Sequence, residues 1–260
     1  MAVTNFIQSI WSKKIQDDLE LKCKLVDNCL RDYEGDCKYA KTVNILGVGN
    51  PTIGDYDGTD ISIQDMDDTL NVLTIDQAHY FAFYVDDVNK AQSVPGLPEK
   101  YQERAVHGLA TKRDSYVAEL IKDATNKTVV EAMTEEGFKK AIDDAIVALR
   151  TRNFDEEGVI EITPAGYNLF KNHLITLSTN NPELIRKGVV GMYDNFECIM
   201  SNNLKTPCCI RGKKAIAFAG QINEVEALRA EKRFKDIVRG LDTFGAKIID
   251  EARIQVLVTA

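Results

Sequence analysis

Residues 73–85, LTIDQAHYFAFYV, alternate apolar and polar positions without a break, and so long a β pattern limits what this chain can become. Leu73, Ile75, Phe81, Phe83 and Val85 share one face, interrupted by Gln77 and His79; Thr74, Asp76, Tyr80 and Tyr84 share the other. Fully extended, the segment would span about 43 Å at 3.3 Å per residue. A compact chain of 260 residues has a radius of gyration of about 18 Å, so such a strand would cross nearly the whole body. Either the strand breaks or the subunit is not compact.

The composition supports a folded, soluble chain: 44% of residues are hydrophobic and 28% charged, enough apolar material for a core. This excludes a disordered chain and predicts no membrane association. The N-terminal MAVTNFIQSIWSKKIQDD lacks a basic start with an apolar run and a cleavage site, and no stretch approaches twenty apolar residues. The expected compartment is a cytosol. Cys23, Cys29 and Cys37 are spaced irregularly, and Cys198, Cys208 and Cys209 lie far from them. None of these spacings suits zinc, and adjacent Cys208 and Cys209 would make a strained pair, so free thiols in a reducing compartment are expected.

The formal net charge of −8 is unevenly placed. Residues 43–89 contain no Lys or Arg, but hold Asp55, Asp57, Asp60, Asp65, Asp67, Asp68, Asp76, Asp86 and Asp87. That stretch carries −9 and the remainder +1. Residues 205–239 reverse the balance with Lys205, Arg211, Lys213, Lys214, Arg229, Lys232, Arg233, Lys235 and Arg239. An acidic run is often only a solvated face. Here it shares its stretch with the long alternating segment and with a second strand candidate, KTVNILGVG, and Gly47, Gly49, Pro51, Gly54 and Gly58 punctuate the route between them. The pattern predicts a long, acidic β-hairpin arm. An isolated two-stranded arm is marginal in water, so it must lie on something.

After the arm, Pro98 opens a helix whose apolar stripe includes Tyr101, Ala105, Leu109, Tyr116, Leu120 and Ile121 and ends near residue 124, about 40 Å in all. Thr134 caps a second helix, with Glu135 and Glu136 in its first turn and Phe138, Ala141, Ile142, Ala145, Ile146 and Leu149 on one face. GVIEIT reads as a strand, PAGYNLFKNHLI as a helix, NPELIRKG as a short helix, and VVGMYDNFECIMSNNL as strands. The tail alternates through several strands, with RAEKR as a charged turn and RIQVLVTA as a buried closing strand. Val225, Ala227, Ile237, Val238, Ile248 and Ile249 are expected in the core. The class is α+β.

Catalytic patterns fail one by one. His79, His107 and His173 share no metal-binding spacing. GVGNPTIG lacks the Lys-Ser/Thr of a phosphate loop and the helix context of a dinucleotide site. A calcium loop starting at Asp55 would need Gly and Glu where Asp60 and Met66 stand. No Ser or Cys sits in a nucleophile elbow, and Asp86 and Asp87 are explained as caps of the following helix. The expectation is no enzyme, no metal and no cofactor; saturable metal binding would revive a calcium-binding or small-molecule enzyme of α+β class.

FIQSIWSKKI, RDYEG, TVNILGVGNPTIGDY, LTIDQAHYFAFYVDDVNKAQ, AIAFAGQINEVEALRAEKRFKDIVRGLDTFGAKII and the closing VLVT resemble, in order, the major capsid proteins of tailed bacteriophages with the Hong Kong 97-type fold. The resemblance implies an N-terminal arm over 1–41, an extended loop and its base over 42–89, and a peripheral domain over 90–127 whose spine helix covers 98–124. It further implies an axial domain over 128–220, peripheral return strands over 221–249 and a C-terminal strand over 250–260 joining the axial domain. The function it implies is a self-assembling shell of pentamers and hexamers around double-stranded DNA. Such a shell would be built in the bacterial cytoplasm, with a portal and a separate scaffolding protein as partners, the chain having no long scaffolding segment before its arm. An encapsulin-like compartment holding cargo enzymes is the alternative. The extended loop has no lysine, so no isopeptide cross-link is expected at its tip. Its support would be a neighbouring subunit. The expected contact sets Asp55, Asp57, Asp60, Asp65, Asp67 and Asp68 of one copy against Arg229, Lys232, Arg233 and Lys235 of the next. So acidic a loop would repel DNA phosphates.

Overall fold

A computed structural model describes residues 23–33, 41–48, 68–86, 97–177, 191–229 and 235–259. The long alternating segment is two strands. β1 (Thr42–Val48) pairs antiparallel with β2 (Asp68–Thr74), while β3 (Gln77–Asp86) belongs to a different, three-stranded sheet. The pattern continues across the break because Ile75 stays half-buried and Asp76 exposed, even as the chain changes partners. The Ile75 amide donates to the Lys41 carbonyl at 2.9 Å, closing the base of the hairpin.

In the three-stranded sheet β10 (Lys235–Ile248) lies between β3 and β9 (Ile216–Arg229), all antiparallel. Its inner face carries Phe81, Phe83, Val238, Phe244 and Phe218 onto α1 (Leu97–Asp123), which contributes Val106, Leu109, Ala110, Val117, Ala118 and Ile121. Gly240 makes room for a flat ring: an added Cβ there would stand 2.5 Å from Phe81 Cε1. Arg113 of α1 donates to Asp242 of β10, Nε to Oδ2 at 2.9 Å, and lies 5.6 Å from the Phe218 ring centroid. The chain itself therefore supports β3, and the expectation that a neighbouring subunit must do so is corrected for this strand. The hairpin base is supported too: Val43, Ile45 and Leu73 pack on Ala217 and Ala219 of β9. Asp86 pairs with Lys235 inside the sheet, and α1 begins only at Leu97, so Asp86 is not a helix cap.

The second layer is a six-stranded sheet in the order β4-β11-β8-β5-β7-β6. Its strands are β4 (Lys127–Val130), β5 (Gly158–Ile162), β6 (Met192–Tyr193), β7 (Phe196–Met200), β8 (Cys208–Gly212) and β11 (Ile254–Thr259). α2 (Glu135–Thr151) and α3 (Pro164–Leu177) cover one face. The α2 stripe is buried at all six expected positions, and the Thr134 side chain accepts from the Gly137 amide at 3.2 Å, which caps the helix. The opposite face of the sheet, through Cys209, Ile254 and Val256, joins the core under α1. The helix expected in NPELIRKG lies outside the described residues.

Candidate functional site

The outer face of the three-stranded sheet carries several exposed large apolar side chains. Because side chains alternate, burying Phe81 and Phe83 turns Tyr80 and Tyr84 outward, and they are 80% and 64% exposed. Register then decides their neighbours. Tyr80 stands opposite Leu241, and Tyr84 opposite Ile237, which in turn faces Leu228. Leu241 and Leu228 are themselves exposed, so two tyrosines and two leucines form an apolar band across three strands. Arg239 sits between them, opposite Ala82 on one side and Glu226 on the other. The hairpin base covers the near end of this same face, over Ala217 and Ala219, and the band occupies the far end. Aromatic rings in such bands supply large contact area with a polar tip for hydrogen bonding.

Of the charged residues expected from the sequence, the three that lie in described strands fall at strand ends. Asp68 opens β2, its backbone paired with Val48, while Asp55, Asp57, Asp60, Asp65 and Asp67 lie outside the described residues. Arg229 ends β9 and pairs with Asp236; Lys235 begins β10. Lys232 and Arg233 fall between the two strands, outside the described residues. Arg229 and Lys235 thus stand at the far end of the sheet, within two residues of the Tyr84 row. Arg211 is not available for docking: it is fully buried and bound to Glu161.

That ion pair belongs to a polar assembly the sequence did not reveal. Arg211 Nε and Nη2 donate to the two Glu161 carboxylate oxygens at 3.1 and 2.7 Å. Its other donors reach the carbonyls of Asn28 at 2.7 Å and Leu25 at 2.8 Å. Burial alone would lower the Arg211 pKa, but the Glu161 carboxylate outweighs it and keeps the guanidinium charged. On the opposite side of the same segment, Asp114 of α1 accepts the amides of Lys24, Leu25 and Val26 at 3.0, 3.1 and 3.3 Å. Burial raises the Asp114 carboxyl, and the three amide donors oppose the rise.

Among the described residues no group of His, Cys, Asp or Glu could hold a metal, and no helix is long and apolar enough to cross a membrane. Cys23, Cys29, Cys198, Cys208 and Cys209 are free thiols. Burial pushes Cys23 and Cys198 up to about 12 and Cys29 up to about 11, so none is a nucleophile at neutral pH. His79 packs against Phe244, His107 is exposed on α1, and His173 is half-buried on α3.

No protein-family model matches the sequence, and no curated protein matches it. Solved structures do. A chain of Mycobacterium phage Che8 superposes with a TM-score of 0.76 at 24% identity over 90% of both chains. The capsid of cyanophage P-SCSP1u gives 0.74 at 16% identity, over 89% of this chain and 86% of that one. A virus-like particle from Pyrococcus furiosus gives 0.60 at 13% identity, over 96% and 99%. The matches run along most of each chain and are not confined to a shared fragment. The chain has the fold of tailed-phage capsid proteins.

Proposed function

We propose that the chain is the major capsid protein of a tailed phage, assembling through pentamers and hexamers into an icosahedral shell around double-stranded DNA. The observation that carries this reading is the match to phage capsids along nearly the whole of both chains. In this reading the architecture is of the Hong Kong 97 type, with α1 as the spine of a peripheral domain, the six-stranded sheet with α2 and α3 as the axial domain, and 42–89 as the extended loop. A portal and a separate scaffolding protein are the expected partners.

In this reading the acidic loop of one copy crosses the outer sheet face of its neighbour. The apolar band of Tyr80, Tyr84, Leu228 and Leu241 receives strand contacts there. Arg229, Lys232, Arg233 and Lys235 meet the loop aspartates. Each exposed ion pair contributes only about 0–1 kcal/mol, so the apolar band must carry much of the docking energy. A contact between two different faces of the same chain closes into a ring if the rotation allows.

The second reading, a compartment enclosing protein cargo, is favoured by the match to the virus-like particle from Pyrococcus furiosus. Particles purified from the native source distinguish the two. Nuclease-protected DNA of genome length supports the phage capsid, whereas a co-purifying enzyme and no DNA supports the compartment.

A further inference from the structure

Residues 23–30 occupy the junction between α1, the three-stranded sheet and the six-stranded sheet, and they make few of the backbone bonds of regular structure. Cys23, Leu25, Val26 and Cys29 are buried in the core shared by all three. One short 3-10 turn, Val26–Asn28, is their only helix, and Leu30 adds a single bridge beside Ala217 of β9. Side chains from two different layers bind five further backbone groups. Asp114 of α1 accepts three successive amides, and Arg211 of β8 donates to two carbonyls of the same turn.

This is an unusual way to hold a segment. Apolar side chains could fill the same volume at equal or better stability, since taking Arg211, Glu161 and Asp114 out of water is costly. What charged groups add is direction. Arg211 is oriented by both oxygens of Glu161 in the neighbouring strand, and its two bonds to the Asn28 and Leu25 carbonyls fix the distance between the six-stranded sheet and the segment. Asp114 does the same from α1, through Oδ2 to Lys24 and Oδ1 to Leu25 and Val26. Between the two layers themselves apolar packing is tolerant of sliding, whereas these bonds are not.

We propose that residues 23–30 are an intramolecular strap that sets the orientation of the six-stranded sheet relative to α1, with Asp114 and Arg211 as its two anchor points. The strap fixes subunit shape before any copy associates, and it couples whatever acts on the preceding chain to the angle between the two layers. It does not depend on the shell reading, because both anchors and both layers belong to one chain.

The test uses the full chain with Cys37→Ser, Lys112→Cys on the exposed side of α1 and Val147→Cys on the exposed side of α2. Both carry nitroxide labels, and the labelled chain is diluted into unlabelled chain so that only intrachain distances are read. The native thiols of the described residues are buried or half-buried with raised pKa and stay unlabelled. In Asp114→Asn an amide nitrogen replaces one acceptor oxygen. The exchange rate of the 24–28 amides is expected to rise by about tenfold or more, as loss of a charge-assisted hydrogen bond implies, and the label distance distribution to broaden or shift. If Asp114→Asn fails to fold, the pair Arg211→Met with Glu161→Leu removes the other anchor without stranding a charge, and the same broadening is expected. Unchanged exchange at 24–28, or faster exchange with an unaltered distance distribution, overturns the proposal.

Discussion

The carbonyl oxygen of Thr74 lies against Gly245, inside the space that a Cβ on residue 245 would occupy. Here the chain leaves the hairpin base and crosses onto the three-stranded sheet, and only a residue without a side chain allows the two backbones to approach so closely. Gly245→Ala should push Thr74 and Ile75 off β10 and destabilise the subunit by about 1–3 kcal/mol, the usual cost of overpacking against backbone. Chemical unfolding measures the loss, and faster amide exchange at Ile75 would locate it.

Tyr80 and Tyr84 make a contrasting prediction, because their rings are solvent-exposed within one chain. Tyr80→Ser with Tyr84→Ser should change subunit stability by no more than about 0.5 kcal/mol per site. Association of copies, followed by sedimentation velocity, should nevertheless fall sharply. Normal association would remove the outer sheet face from the docking surface.

Charge reversal probes the other half of the contact. Asp65→Lys, Asp67→Lys and Asp68→Lys together should impair assembly without unfolding the subunit, and rising salt should weaken assembly of the parent chain. Partial rescue by Lys232→Glu with Arg233→Glu would identify the partner surface, whereas normal shells from the triple variant would sink the electrostatic account.

The buried thiols predict a pH dependence. At pH 8 the thiols of Cys23, Cys29, Cys198, Cys208 and Cys209 remain protonated and should resist alkylation in the folded chain, then react on denaturation. Mass spectrometry of alkylated protein reads this directly. Their folded pKa values are raised above the ordinary value of 9.0, so the folded state keeps protons that the unfolded state releases. This contribution to stability is intact below pH 9 and is lost as pH rises toward 11–12.

Much of the fold was legible because local signals agreed with it. The α2 stripe and its Thr134 cap, the start of α3 at Pro164 and the buried closing strand β11 each combine periodicity with a boundary signal. The length of 73–85 left a broken strand as one of two alternatives, but the place of the break was not legible. A period of two persists when a chain passes from one sheet to another, and the cause, Gly245, lies far along the sequence. β8 was missed because all five of its residues are buried, Arg211 among them, so CCIRG shows no alternation. The strap was invisible for a related reason: Asp114 on a helix and Arg211 in a basic stretch look like surface charges, and only the tertiary fold brings them to the same turn. On the outer sheet face, alternation alone placed Tyr80 and Tyr84 together; their leucine partners required the register.

Electron microscopy of the chain produced in bacteria, alone and with the scaffolding protein proposed above, tests the central claim most directly. The account predicts closed shells in which hexamers and pentamers are resolved, with the outer face of β3, β10 and β9 covered by the 42–74 hairpin of the adjacent copy. Monomers or open aggregates under those conditions, or shells in which Tyr80 and Tyr84 face solvent, would contradict it.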